Sequence, residues 1–224
     1  MRCACVATVS AVIISYGFAT TQGRIASDVF PIISETFLGT PQSYVSEVAL
    51  GFAAWTLCGM TAVTRAYLDA YACDDEVWRG RNRRRTSIGA AASIMLALTA
   101  AINYEESWRA HVTCAFGFLF SLWIWFAGVT RQLWAHSGSA SAWSVRAKVF
   151  ACVSALIGVG GFTALSGSAG KETAYSWIGA CEWLGVLSLT FACWTISWDF
   201  DAKGVTLAIR LESSPAFAEP RVAA

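Results

Sequence analysis

Six apolar stretches, at about 3–20, 46–65, 87–104, 111–130, 149–166 and 176–198, fill most of this 224-residue chain. A hydrocarbon core ~30 Å thick needs about 20 apolar residues of helix to cross it. A water-soluble domain can bury one or two such helices but not six, so lipid is the expected solvent. Charged residues make up only 14% of the chain, against about 25% in ordinary soluble domains. The expected fold is an all-α integral membrane bundle of six transmembrane helices with both termini cytosolic. Residues 1–212 form the six-span membrane domain and 213–224 a flexible cytosolic tail. No remaining piece is long enough for a soluble domain of its own.

Orientation follows from where the basic residues fall. Twelve of the sixteen Lys and Arg lie at the termini and in the connections 66–86 and 131–148, and Arg65 lies at the adjoining end of the second stretch, whereas Arg24, Arg109 and Lys171 lie in the other connections. Short loops rich in Lys and Arg stay cytosolic. The connections 21–45, 105–110 and 167–175 are therefore expected to face the lumen or exterior. The first stretch reads as an uncleaved helix, because only Met1 and Arg2 precede it as an n-region. The basic run Arg79–Arg85 falls in an expected cytosolic loop, 74–86. It either contacts anionic lipid, at about 1 kcal/mol per charge, or only fixes topology. A nucleic-acid partner does not fit beside six spans.

Several chemistries are absent from the pattern. There is no CxxC, and two His among eight Cys give no zinc-ligand spacing, so no metal is expected. Cys3 and Cys5, beside a membrane end, are either acylation candidates or small packing residues. No Lys lies within the six stretches, which removes a retinal Schiff-base site. No nucleophile elbow, HExxH, Walker loop or GxGxxG is present, and no cofactor is expected.

A few polar residues stand out against the apolar background. Glu182 lies about 9 Å inside the last stretch, counting 1.5 Å per residue. A carboxylate there is costly and usually faces the bundle interior or a water-filled cavity. Glu47, Asn103 and His111 mark the ends of other stretches, and Ser34 lies in the first lumenal connection, all on the same side as Glu182. One reading is a lumen-side lipid-headgroup pocket, in which His111 and Glu182 pair and could do general acid–base work. The other is that Glu182 bonds Asn103 or His111 only to hold helices together. Gly89, Ser93, Ala97 and Ala101 make a small-residue stripe suited to close helix packing. Gly158, Gly160 and Gly161 invite a bend in the fifth stretch.

The order of certain short motifs resembles the Frag1/DRAM/Sfk1 (CWH43 N-terminal) family. Cys181-Glu182-Trp183, Asp199-Phe200 and Val205-Thr206-Leu207-Ala208-Ile209 are similar to the last span and exit of the DRAM-like (damage-regulated autophagy modulator) branch. Phe30-Pro31-Ile32-Ile33-Ser34-Glu35-Thr36 is similar to the family's first-loop pattern, and Asn103 and His111 to its Asn…His pair. In one departure, Phe37 follows Thr36 where the branch tends to have Gly, and Gly39 comes later. The resemblance implies a eukaryotic endomembrane protein (lysosome, Golgi or ER) or a plasma-membrane protein, with membrane lipids as partners. It would bind or organise lipids, alone or as a subunit of a larger membrane assembly. The alternative is an enzyme that remodels lipids or GPI anchors, with His111 as base and Glu182 orienting it. A transporter is disfavoured by the lack of internal repeats.

Overall fold

The computed structural model describes residues 2–25, 30–71, 75–102, 104–105, 107–135, 141–168 and 171–203. The segment 205–212, the tail 213–224 and Asn103 lie outside the described residues. Every regular element among the described residues is helical: α1 (Arg2–Thr21), α2 (Ile33–Thr36), α3 (Gln42–Tyr71), α4 (Glu76–Ala101), α5 (Trp108–Ala135), α6 (Ala142–Ser168) and α7 (Lys171–Ala202). Four of the helices hold segments long and apolar enough to cross a bilayer: 42–70, 108–135, 142–166 and 175–202. In α1 the apolar part is shorter, Cys5–Thr21, and in α4 it is confined to the C-terminal half.

The six long helices close into a ring in chain order. α1 packs on α3, α3 on α4, α4 on α5, α5 on α6 and α6 on α7, and α7 returns to α1. The short α2 wedges between α1 and α7 at one end. Trp125, Phe126, Leu189, Ile196, Ala92 and Ala151 form much of the buried core. The outer surface is apolar too, with Trp55 81% and Val48 75% exposed. Contiguous apolar surface of this kind requires a covering, which lipid supplies.

Residues 76–86 are helix rather than the expected loop. Asp75 caps α4, its carboxylate accepting from the Val77 and Trp78 amides at 2.9 and 3.1 Å. The cap satisfies two amides that otherwise lack helical partners. The arginine-rich turns then fasten inward. The guanidiniums of Arg81 and Arg85 lie over the Trp78 ring. Buried Asn82 donates to Asp69 of α3 at 2.7 Å, and Arg85 donates to Gln132 of α5. The acidic and amide partners on neighbouring helices explain why a basic run can be ordered here.

The glycines of α6 also behave differently from expectation. α6 runs unbroken, and its glycines admit the neighbouring helix. A Cβ on Gly158 would lie 2.4 Å from the Gly185 nitrogen, and one on Gly161 would lie 2.7 Å from the Cys181 sulfur. Of the α4 stripe, Gly89 and Ser93 are buried while Ala97 and Ala101 are exposed. Residues four apart drift about 40° round a 3.6-residue helix at each step, so the stripe turns away from its neighbours. Cys5 is buried and its thiol donates to the Thr190 carbonyl at 3.7 Å, which favours packing over acylation at that position.

The end of the bundle remote from α2 holds a buried ion pair. Lys148 was expected in a cytosolic loop, but it lies in α6 and is 0% exposed. Its Nζ sits 2.7 Å from Asp199 Oδ2 and also donates to Ser144 Oγ and the Thr195 carbonyl. Ser144 in turn donates to Asp199 Oδ1 at 2.7 Å. Neighbouring Phe200 packs edge-on against Tyr67. Removing one member strands a buried charge. Lys148→Met is therefore expected to cost about 3–5 kcal/mol, and Lys148→Met with Asp199→Leu to recover most of that loss. Thermal unfolding in detergent reads both.

Candidate functional site

On α7, Ser176, Gly179, Glu182 and Trp183 lie at i, i+3, i+6 and i+7, which places them along one helical face. The chain entering α2 docks on that face. The Phe30 amide donates to Ser176 Oγ at 3.3 Å, and Trp183 Nε1 donates to the Pro31 carbonyl at 3.0 Å. Gly179 lets the strap approach, since a Cβ there would fall 2.6 Å from the Phe30 and Pro31 carbonyl oxygens. Glu182 Oε2 then accepts the Ile33 amide at 2.6 Å. The expected motif residues Pro31, Glu182 and Trp183 thus form one docking surface between two distant segments. Gly39, at φ +76°, supplies the turn beyond α2, a left-handed conformation that glycine adopts freely. Arg24 donates to the Leu38 carbonyl at 2.9 Å, bracing the same turn.

His111, near the start of α5, reaches this strap from the opposite side. Its Nδ1 lies 2.8 Å from the Ile102 carbonyl and its Nε2 lies 3.2 Å from Ser34 Oγ. The Tyr104 ring meets the imidazole edge-on at 5.5 Å. A carbonyl can only accept, so Nδ1 carries the proton. In the neutral ring Nε2 is then an acceptor, so the one Ser34 proton has two acceptors within reach, Nε2 and Glu182 Oε1. Ser34 Oγ also lies 3.4 Å from Glu182 Oε1. The direct His111–Glu182 pairing expected from the sequence is thus replaced by a line in which Ser34 stands between them. The Ile102 carbonyl, not Glu182, orients the imidazole. Glu47 lines a smaller pocket of about 30 Å³ with Ser34, Tyr104 and His111, its side chain exposed.

Below this cluster an apolar cavity of about 120 Å³ opens within the ring, roughly ten times the volume that one water requires. Ser34, His111 and Glu182 form one end; its walls include Val12, Leu57, Met60, Leu119, Leu122, Val186 and Leu189, and Cys5 and Cys193 lie at the other. Along α7 the lining runs from Glu182 to Cys193, about 16 Å at 1.5 Å per residue. That is near half the ~30 Å hydrocarbon thickness, the depth of one leaflet. No cluster of His, Cys, Asp and Glu suited to a metal occurs among the described residues.

Glu35 lies beside the cluster in α2. Burial holds its carboxyl above the ordinary carboxylate range. The folded state therefore binds this proton more tightly than the unfolded chain, and stability falls as pH rises through that window. Glu35→Gln is expected to raise the melting temperature at pH 7 and to leave it unchanged near pH 4, as read by scanning fluorimetry.

The family model described as the Frag1/DRAM/Sfk1/Cwh43P N-terminal domain matches residues 1–203. No curated protein and no solved structure matches the chain.

Proposed function

The chain belongs to the Frag1/DRAM/Sfk1/Cwh43P N-terminal domain family, and on that premise we propose that it is a multi-pass membrane protein that binds a lipid within its helical ring. The observation that carries this reading is the cavity itself: an apolar hollow whose α7 lining spans about the depth of one leaflet, with Ser34, His111 and Glu182 in its wall. Ligand sites are typically apolar hollows with a few converging polar groups. An acyl chain matches the tube and a polar headgroup region matches its end. Glu47 is expected at the rim of the headgroup site.

The proposed topology has six spans and both termini in the cytosol, with a membrane domain over 1–212 and a tail over 213–224. α1, at 20 residues, is about 30 Å long, and the apolar half of α4 completes the ring. This orientation places the Ser34 cluster in the lumenal or exterior leaflet. The residence proposed is a eukaryotic endomembrane or the plasma membrane, with service as a subunit of a larger membrane assembly compatible with the apolar exterior. Lipid or GPI-anchor remodelling is the second reading, favoured by the serine hydroxyl held on His111.

Two measurements test the proposal. A photoactivatable diacyl phospholipid in nanodiscs is expected to cross-link to Leu119 and Leu189, and Ala115→Trp, which fills the tube, to cut that yield about tenfold. Cross-links confined to the outer surface would refute the lipid site. For topology, Arg84→Cys and Ser107→Cys are expected to react with an impermeant maleimide from opposite faces of sealed vesicles. Labelling of both from one face would refute the six-span arrangement.

A further inference from the structure

We propose that Ser34 is a nucleophile for acyl transfer from a lipid ester, with His111 as its general base. The inference rests on the lipid-cavity reading and goes beyond it, because a binding site needs no activated serine.

Three observations converge on it. First, the tautomer is fixed. The Ile102 carbonyl at 2.8 Å holds the proton on His111 Nδ1, which turns the Nε2 lone pair toward Ser34 Oγ at 3.2 Å. A base oriented by a second acceptor and placed in hydrogen-bond reach of a hydroxyl is the geometry that activates serine. Second, the serine is positioned from its other side. Glu182 accepts the amide of the preceding residue, Ile33, at 2.6 Å. Glu182 is thus a positioning residue: it clamps the backbone that carries Ser34. Third, Ser34 lines the apolar cavity, whose leucine, valine and methionine walls suit the chain of a fatty-acyl ester. The surroundings select a substrate with a long apolar acyl group rather than a soluble ester.

Ser34 Oγ attacks the ester carbonyl carbon while its proton passes to His111 Nε2. The carbonyl carbon–oxygen bond to the lipid alcohol breaks, and His111 returns the proton to that departing oxygen. The products are acyl-Ser34 and the free alcohol. A second alcohol, or water, then attacks the acyl group with His111 again taking the proton, and Ser34 is regenerated. No electrons are exchanged with an outside donor.

The test uses the purified full chain in nanodiscs, treated with a long-chain alkyl fluorophosphonate. The probe bonds an activated serine through phosphorus and loses fluoride. Peptide mass spectrometry is expected to find the adduct on Ser34. His111→Gln is expected to slow labelling at least about 100-fold, the lower range of base catalysis. The photoactivatable phospholipid is applied to the same preparations as a separate report on the cavity. If wild-type Ser34 stays unlabelled while the lipid still cross-links to the cavity walls, acyl transfer is refuted and the lipid site stands. If neither labelling nor cross-linking occurs, both readings fall. Labelling of His111→Gln at the wild-type rate would also overturn the assignment, and the wild-type result decides even where that variant folds poorly.

Discussion

Glu182 is a carboxylate set in an apolar helix, and its needs organise one end of this protein. A polar group in hydrocarbon must find a partner or cost several kcal/mol. Glu182 finds it in the amide of Ile33, at 2.6 Å, from a segment 149 positions away in the chain. That bond draws the connection after α1 down onto α7, where Gly179 leaves room and Trp183 and Ser176 add further hydrogen bonds. The docked strap brings Ser34 to His111 and supplies Ile33, Ser34 and Phe37 to the cavity wall. One buried acid thus accounts for the local fold, the polar cluster and the shape of the hollow.

The opposite end solves the same problem with charges. Lys148 and Asp199 meet in full burial and share Ser144 between them, while Asn82 and Asp69 tie α4 to α3. Between the two ends the ring is held by shape. Gly158 and Gly185 bring the α6 and α7 backbones close, and Gly89 receives Thr61 and Trp125. Lipid is as apolar as these side chains, so packing and satisfied polar groups, rather than exclusion of water, must hold the helices together. The polar residues are concentrated where the helices need fixing, which leaves the middle of the ring apolar enough to hold a chain.

Much of this was legible from residue order. A period of apolar stretches announces membrane helices, and a lone Glu182 within one of them announces a buried polar site. His111 and Ser34 were found by the same reasoning, as polar groups at a shared depth. The partner choices were not legible. Hydropathy places His111 near Glu182 but cannot show that Ser34 intervenes or that a backbone carbonyl orients the imidazole. Lys148 looked like one more loop cation, because its partner Asp199 lies 51 positions on and only the α6–α7 packing joins them. Residues 76–86 looked like a loop because they lie between two apolar stretches and are rich in arginine; Asp69, Gln132 and the Trp78 ring are what hold them as helix. The small-and-polar spacing of Ser176, Gly179, Glu182 and Trp183 was a signal for the docking face, visible in the sequence as a single stripe on an otherwise apolar helix.

The most direct test of the central claim is an experimental density map of the chain in a lipid nanodisc, at a resolution that shows acyl chains. The account predicts elongated density inside the ring, starting beside Ser34 and His111 and running toward Cys193, with the Ile33 amide on the Glu182 carboxylate. A ring whose centre is filled by its own side chains, with Glu182 turned away from the strap, would contradict it.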